Sequence, residues 1–169
     1  MWYVIWTTTG REEYTRDLIQ KFVLPDLYNR LVIPYRRKKH FQNGKSFIVE
    51  NIVFPSYLFV ETNCIKDFVT ALNTLPGFSV VLHTDDFYSP VYDHEVNLLM
   101  KLMNDHDVID MSTGYMEGEK IRIVSGPLRG FEGQIKKVIR RRGIAILELN
   151  IFNRPTEARL GLELIEKPH

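Results

Sequence analysis

The spacing of apolar residues changes character after residue 103. Up to that point, stretches with the period of an amphipathic helix alternate with short apolar runs that are typical of strands. Helices are predicted from three sets of apolar residues with helical spacing: Tyr14, Leu18 and Phe22; Ile65, Phe68, Val69 and Leu72; and Val96, Leu99, Met100 and Met103. Asp93 is the expected cap of the third helix. The first part of the chain therefore predicts an α/β domain.

Aromatic and β-branched residues predict the strands between these helices. The opening run WYVIWT (2–7) and the nearly all-apolar PSYLFVE (55–61) favour two strands, the second of them buried. Further strands are expected at 31–36, 46–50 and 78–82. Asn43-Gly44 supplies a turn with positive φ, which predicts a β-hairpin with a basic arm. Thr9 and Glu12 have the spacing of a capping box at the start of the first helix.

No helical period continues beyond the acidic segment 104–116, which we interpret as a linker. Apolar and polar residues then alternate, as in Ile121 and Ile123 and through 145–151, with turns at Arg142-Gly143 and 153–155. This pattern predicts a small all-β barrel. The expected fold class is α+β: an α/β sandwich domain at 1–103, a linker at 104–116 and a β-barrel domain at 117–169.

The stretch SGPLRGFEG (125–133) contains three glycines that could cradle a phosphate. A phosphate-binding P-loop requires Lys followed by Ser or Thr before a helix, whereas this stretch lacks both and leads into strand-like sequence. A dinucleotide-binding loop fails because its glycines must open a helix. We therefore interpret the stretch as a turn between strands, in which Gly126-Pro127 starts the turn, Gly130 allows close backbone approach and Gly133 makes a bend.

Composition narrows the function classes. The 169 residues carry a net charge of only +1, but 1–114 carry 11 Lys and Arg against 14 Asp and Glu, and 115–169 carry 11 against 7. The single cysteine, Cys64, excludes a disulfide framework and a cysteine-based zinc site. The opening segment lacks the features of a signal peptide, and the longest apolar run, 52–60, contains a proline and is too short to span a membrane. We expect a soluble cytoplasmic monomer with no membrane partner.

Two groups of acidic residues and histidines are candidates for metal or catalytic chemistry. They are HTDD at 83–86 and DHD at 105–107. Neither has ligands at i and i+4 of a predicted helix, and solvated polar loops are the favoured interpretation. No nucleophile elbow is present, so the sequence does not support an enzyme and predicts no cofactor or metal.

Clustered cations are the stronger signal. One cluster lies on the hairpin arm between Tyr35 and Phe41, and the other lies around one turn of the predicted barrel. Their members are Arg36, Arg37, Lys38 and Lys39 in the first, and Lys136, Lys137, Arg140, Arg141 and Arg142 in the second. Clustered Lys and Arg beside aromatic residues are typical of nucleic-acid binding, and charge that deters edge pairing of strands is the alternative. Arg129 could be surface charge or an additional RNA contact.

Several motifs resemble one family along nearly the whole chain. IRIVSGPLRGFEGQIKKV resembles the KOW motif, and the barrel resembles the KOW domain, an SH3-like barrel, of the NusG family of transcription elongation factors. WYVIWTTTGREE resembles the first strand and helix of the NusG N-terminal (NGN) domain. FPSYLFV resembles that domain's signature strand, with Ser56 where the family often has Gly. The order and spacing of both domains match.

The resemblance implies particular partners and residues. Such N-terminal domains bind RNA polymerase through an apolar patch that receives the tip of the polymerase clamp helices. By resemblance, Phe54 and Tyr57 of this chain belong to that patch, and Trp6 could join them. A core position is the alternative for all three. KOW domains of general factors recruit the Rho terminator or a ribosomal protein through a turn that here contains Phe152, Asn153 and Arg154.

Two departures favour a specialised paralog. After Pro34, where general factors often have acidic residues, this chain has YRRKKH, and its KOW half is net basic. These features resemble the LoaP type, an operon-specific antiterminator that recognises a structured element in nascent RNA; contact with non-template DNA is a further possibility. The alternative is a general elongation factor whose KOW domain binds Rho or a ribosomal protein. A barrel that switches to a helical hairpin is disfavoured by the β-prone residues 144–151.

Overall fold

The computed structural model describes residues 1–151 and 154–169. In these ranges the α-helices are α1 (Glu12–Phe22), α2 (Ile65–Leu72) and α3 (Asp93–Leu102). The strands, numbered along the chain, are β1 (Trp2–Thr7), β2 (Arg30–Val32), β3 (Tyr35–Gln42), β4 (Lys45–Ile52), β5 (Tyr57–Glu61), β6 (Ser79–Val81), β7 (His83–Thr84), β8 (Phe87–Tyr88), β9 (Val108–Ile109), β10 (Ser112–Glu117), β11 (Lys120–Ser125), β12 (Ile135–Ile139), β13 (Ile144–Ile151) and β14 (Arg154–Leu164). The predicted α+β fold class is confirmed. Within the described residues, no helix is long and apolar enough to cross a membrane.

The described residues form two compact units. Unit 1 consists mainly of Met1–Ile33 and Phe54–Val96, and unit 2 of Pro34–Val53, Asn97–Asn150 and Arg154–His169. The hairpin of β3 and β4 therefore groups with the barrel strands. The segment 104–116, which the sequence predicted as a linker, contains β9 and most of β10, because its backbone groups pair with β3 and β14. The domain boundaries themselves stay a prediction.

The core of unit 1 is a four-stranded sheet in the order β2-β5-β1-β6. Strands β1 and β5 are antiparallel, with Val4 opposite Phe59 and Trp6 opposite Tyr57. The predicted strand PSYLFVE is central and buried, since Leu58, Phe59 and Val60 are almost fully inaccessible to solvent. Phe68 and Leu72 of α2 are buried too, which confirms the predicted apolar face of that helix.

The buried face of α1 differs from the predicted one. Tyr14 and Phe22, two of the three residues predicted to face the core, are exposed, and the buried residues of the helix are Glu12, Thr15 and Ile19. Two polar side chains can occupy this face because each has a partner: the Thr15 hydroxyl lies 2.8 Å from that of Thr7 in β1. The spacing of apolar residues did not predict this face of α1, because two of its three buried residues are polar and are held by hydrogen bonds.

In unit 2, β3 and β4 form the predicted hairpin. Asn43 and Gly44 both have positive φ at its turn, as a two-residue hairpin loop requires. The predicted strand 31–36 is interrupted by Pro34, so that β2 pairs with β5 in unit 1 and β3 begins at Tyr35. On its other edge β3 pairs in parallel with β9, where Tyr35 lies opposite Val108.

The rest of unit 2 is a five-stranded sheet in the order β11-β10-β14-β13-β12. Its buried side is formed by alternating residues of β13 and β14, including Leu147, Leu149, Leu160 and Leu162. Short strands and turns had predicted this arrangement, and the resemblance to a KOW barrel agrees with it.

The glycine-rich stretch 125–133 is a turn, as predicted. The close backbone approach, which was predicted at Gly130, occurs at Gly126 instead. A Cβ at Gly126, which has φ +98°, would come within 2.5 Å of the Ser112 Cα, whereas nothing lies within 4 Å of such an atom at Gly130. Gly133 has no positive φ and belongs to a short 3₁₀ turn. Leu128 fills the core below this turn, and its N–H donates to the Ser112 hydroxyl over 3.0 Å.

The three glycines form a graded test of this turn. Gly126→Ala combines backbone strain with overlap, Gly130→Ala adds strain alone at φ +85°, and Gly133→Ala adds neither. We expect Gly126→Ala to lower the free energy of unfolding by more than about 2 kcal/mol, Gly130→Ala by about 1 kcal/mol and Gly133→Ala least. Urea unfolding of the full chain measures the order, and equal effects at 126 and 133 would contradict the described turn.

Candidate functional site

The first candidate site is an aromatic surface at one end of the unit 1 sheet. Trp6 and Tyr57 are directly opposite each other on β1 and β5, so their side chains share one face of the sheet. Phe78, which is 60% exposed, packs edge-on against Trp6 with 5.2 Å between ring centroids. We call Trp6, Tyr57 and Phe78 the aromatic surface. The sequence predicts Phe78 only as the start of a strand, because the contact with Trp6 joins residues that are distant along the chain.

Phe54 has a different position from its predicted partners. Its side chain is 2% exposed and packs edge-on against Phe59, with ring centroids 5.8 Å apart. It occupies the core directly before the turn that leads to Tyr57, and its carbonyl accepts a hydrogen bond from the Tyr57 N–H over 3.2 Å. Phe54 thus supports the aromatic surface from within the core.

Buried polar groups hold this turn in place. The Glu12 carboxylate, 3% exposed, accepts hydrogen bonds from the N–H groups of Gly10 and Ser56, each over 2.8 Å. Ser56 has φ +75°, the left-handed conformation that favours glycine, which explains why the family often has Gly there. The predicted capping box is wrong, because Glu12 joins two loops and the Thr9 hydroxyl bonds that of Ser56.

Thr7 links the same turn to Phe78. Its N–H donates to the Ser56 carbonyl over 2.9 Å, and its hydroxyl donates to the Phe78 carbonyl over 3.1 Å. A hydroxyl has one hydrogen, so Thr15 must be the donor in its bond to Thr7. These buried bonds bring the loop that carries Phe78 and the turn that carries Tyr57 to the end of β1.

The second candidate site is a groove of about 500 Å³ on the barrel of unit 2. Its cations come from β11, β12 and the turn after β12: Lys120, Arg122, Lys136, Lys137 and Arg140. Lys136 is paired with Glu148 over 2.6 Å, and this hydrogen bond raises the pKa of the lysine. Arg122 is paired with Glu117 over 3.1 Å. Among the described residues, no carboxylate pairs with Lys120, Lys137 or Arg140.

The cations of the basic arm 36–39 differ from those of the barrel cluster, because most of them bond to other groups of unit 2. Arg37 donates to Glu50 over 2.9 Å and to Asp110 over 2.6 Å, and the bond to Glu50 is the main reason why its pKa is raised. Lys39 pairs with Glu163 of β14, and Arg36 donates to the backbone carbonyl of Arg159. Lys38 has no hydrogen-bond or ion-pair partner in the described ranges. Three of the four predicted cations therefore contribute to the structure of unit 2.

Of the remaining residues that the sequence predicted to bind a partner, four are exposed and two lie outside the described ranges. Arg129, Arg141, Arg142 and Arg154 are exposed. Phe152 and Asn153 of the predicted partner-binding turn lie outside the described residues. His83 makes a local contact from Nδ1 to the Asp85 carbonyl over 3.1 Å, and no three potential metal ligands come together in the part of the chain that the structure describes.

The described residues thus combine an α/β unit that carries an aromatic surface with a unit that carries a cationic groove on a β-barrel, and the comparisons show that transcription factors of one family share this organisation. Family models agree along the chain: that of transcription termination factor NusG matches residues 1–100, and that of the KOW motif matches 117–148. The chain belongs to the NusG family, whose members are transcription termination and antitermination factors. Among its relatives, the Campylobacter jejuni transcription termination/antitermination protein NusG is 24% identical over 170 residues, covering 98% of this chain and 96% of the relative.

Two further comparisons agree. The Bacillus subtilis transcription termination/antitermination protein NusG is 26% identical over 173 residues, covering 98% of this chain and 97% of the relative. A solved structure described as "Domain interaction in Thermotoga maritima NusG" superposes with a TM-score of 0.57 at 24% identity, covering 95% of this chain and 92% of that one. This likeness supports the fold.

The buried Glu12 carboxylate offers a test of how the aromatic surface is supported. In Glu12→Gln only the amide oxygen can accept, so one of the two N–H groups loses a charge-assisted bond. We expect the free energy of unfolding to fall by about 1–3 kcal/mol. The matched control is Asp67→Asn, an exposed acid in the first turn of α2, for which urea unfolding should change by less than about 0.5 kcal/mol. Equal effects of the two substitutions would contradict this role.

Proposed function

We propose that this protein is an operon-specific elongation and antitermination factor of the NusG family. Unit 1 docks on the clamp of RNA polymerase through the aromatic surface, and the basic barrel contacts structured nascent RNA. The observation that carries the RNA assignment is the groove on unit 2, in which Lys120, Lys137 and Arg140 have no carboxylate partner among the described residues. Cations that are not neutralised within the protein are available to phosphates.

Polymerase docking is supported by the accessibility of the aromatic surface, in which Phe78 is exposed and Trp6 and Tyr57 are half-buried. Large aromatic side chains dominate protein interfaces, because they bury much area at a low cost in conformational entropy. Phe78 is 60% exposed and is held beside Trp6 by its carbonyl bond to Thr7. An aromatic surface that is fixed by hydrogen bonds of the nearly inaccessible Thr7 is preorganised for a protein partner.

The docking proposal is tested by alanine substitution of surface aromatics. We expect Trp6→Ala, Tyr57→Ala and Phe78→Ala each to weaken binding to core RNA polymerase by at least about tenfold in a titration, as truncation of an interface anchor does. Phe54→Ala is unsuitable here, because loss of a buried Phe costs about 3–5 kcal/mol of stability.

The matched control is Phe87→Ala, which removes another aromatic ring of unit 1 that is 78% exposed. Binding to polymerase should be unchanged in this variant. Docking through the aromatic surface would be refuted if the three variants bound as well as the Phe87→Ala control.

The RNA proposal is tested by the salt dependence of binding. The Lys137→Ala/Arg140→Ala double variant should reduce the slope of log affinity against log salt by about 1–2, since each lost phosphate contact lowers it by about 0.7–1. The probe is a fluorescent RNA stem-loop titrated with the full chain at several salt concentrations. Lys66→Ala, an exposed lysine of unit 1, is the charge-matched control and should leave the slope unchanged.

A different outcome would favour the alternative. If the full chain failed to bind RNA but bound Rho or a ribosomal protein, it would act as a general elongation factor. Phe152, Asn153 and the exposed Arg154 would then be the residues to substitute first. Contact with non-template DNA likewise stays a prediction, and the same titration with DNA measures it.

A further inference from the structure

The two basic clusters of the sequence meet in unit 2. Strand β3 lies against β14 so closely that a Cβ at Gly161 would overlap the carbonyl oxygen of Arg37. Arg36 donates to the carbonyl of Arg159, and Lys39 pairs with Glu163, so that both side chains join the hairpin to β14. The 3₁₀ turn Arg140–Arg142 reaches the same strand, because the Gly143 carbonyl accepts a bond from the Leu162 N–H over 2.9 Å.

This packing gathers like charges. Burial lowers the pKa of Lys38, and the nearby positive charges of Arg36 and Arg142 lower it further. Burial likewise lowers the pKa of Arg36, with a smaller contribution from Arg159. The hairpin and the turn contact neighbouring residues of β14, Gly161 and Leu162, which places Lys38 near both Arg36 and Arg142, and Arg36 near Arg159. We call Arg36, Lys38, Arg142 and Arg159 the junction cluster.

The nearby acids do not neutralise this cluster. Opposite residues of the hairpin share a face, and the partners of Arg36 and Lys38 are Asn51 and Val49. The acids of the region serve other cations: Glu50 and Asp110 bind Arg37, and Glu163 binds Lys39. In the described part of the chain, Glu157 is the one acid that pairs with a member of the junction cluster, at 3.5 Å from Arg159. Three of the four cations therefore have no carboxylate partner among the described residues.

We propose that the junction cluster is a binding site for the phosphate backbone of a nucleic acid, assembled by the packing of the hairpin on β14. The inference rests on the proposed nucleic-acid function and extends it from the barrel groove to a second site. Three of the cations are arginines, whose planar guanidinium groups match phosphate oxygens in pairs. Beyond Lys38 on the same face, His40 packs against the exposed Phe47, with 5.3 Å between ring centroids, and offers a surface on which a base could stack.

The site also couples nucleic acid to the position of the hairpin. A phosphate that bridges Lys38 of the hairpin and Arg142 of the barrel relieves their repulsion and holds the two elements together. By thermodynamic linkage, packing of the hairpin on β14 must strengthen phosphate binding by the same factor. A bound nucleic acid would thereby stabilise the packing of the hairpin on β14.

A double-mutant cycle on the full chain tests the shared site. The probes are a fluorescent RNA stem-loop, a DNA hairpin of the same sequence and inorganic tripolyphosphate. We expect Lys38→Ala and Arg142→Ala each to weaken binding about tenfold, and the double variant to weaken it much less than a hundredfold, because both residues hold the same phosphate. Lys101→Ala, an exposed lysine of α3, is the charge-matched control and should bind normally.

Gly161→Ala tests assembly without removing a cation. The new methyl group should displace β3 from β14 and weaken binding about as much as Lys38→Ala, with circular dichroism reporting whether the barrel stays folded. If it unfolds, the double-mutant cycle decides alone. Additive or absent effects of Lys38→Ala and Arg142→Ala would overturn the site.

The outcomes separate this site from the proposed function. If the wild-type chain binds RNA but the junction variants bind equally well, the site is wrong and the barrel groove remains. If the wild-type chain binds DNA but not RNA, and the junction variants lose that binding, the proposed RNA contact fails while the site stands. If it binds neither RNA nor DNA, both the proposed RNA contact and this site fail, whatever the double variant does to tripolyphosphate binding. A preference for RNA or for DNA identifies the source of the phosphate.

Discussion

The close backbone approach of β3 and β14 at Gly161 is the constraint on which unit 2 depends. Any side chain at this position would collide with the Arg37 carbonyl. Because residue 161 has none, the hairpin lies on the barrel strand, Arg36 reaches the Arg159 carbonyl, and Lys39 reaches Glu163. The same approach brings together Arg36, Lys38 and Arg142, which pair with no carboxylate among the described residues. The absence of a side chain at Gly161 therefore determines both how the hairpin packs and where positive charge gathers on the surface.

Unit 1 relies on buried polar bonds for a comparable purpose. Thr7 and Glu12 are almost inaccessible to solvent, and they hold the turn before Tyr57 and the loop at Phe78 beside β1. Burying a carboxylate is costly unless it is hydrogen-bonded, and Glu12 accepts two backbone N–H bonds. The aromatic surface is consequently held in place, with Phe78 exposed and Trp6 and Tyr57 half-buried. Because Glu12 and Thr15 are polar, the spacing of apolar residues did not predict that this face of α1 is buried.

Local rules predicted the parts of the fold that depend on local chemistry. Asn43-Gly44 specified the hairpin turn, Phe68 and Leu72 specified the buried face of α2, and alternation in 145–151 specified a barrel strand. The rules failed where a residue's role is set by distant partners. Gly126 rather than Gly130 makes the close approach because Ser112 lies above it, and 104–116 forms strands because β3 and β14 offer it hydrogen bonds.

The sequence by itself determined the fold class, the family and the identity of the basic residues, because motif spacing and periodicity are properties of neighbouring residues. Only the tertiary structure decided which of those cations are neutralised. Arg37 and Lys39 pair with acids that lie far along the chain, whereas Lys38 lies near the positive charges of Arg36 and Arg142, which lower its pKa. It also placed Phe54 in the core and Phe78 on the surface. Burial and charge balance depend on contacts between distant segments, and one-dimensional patterns do not contain them.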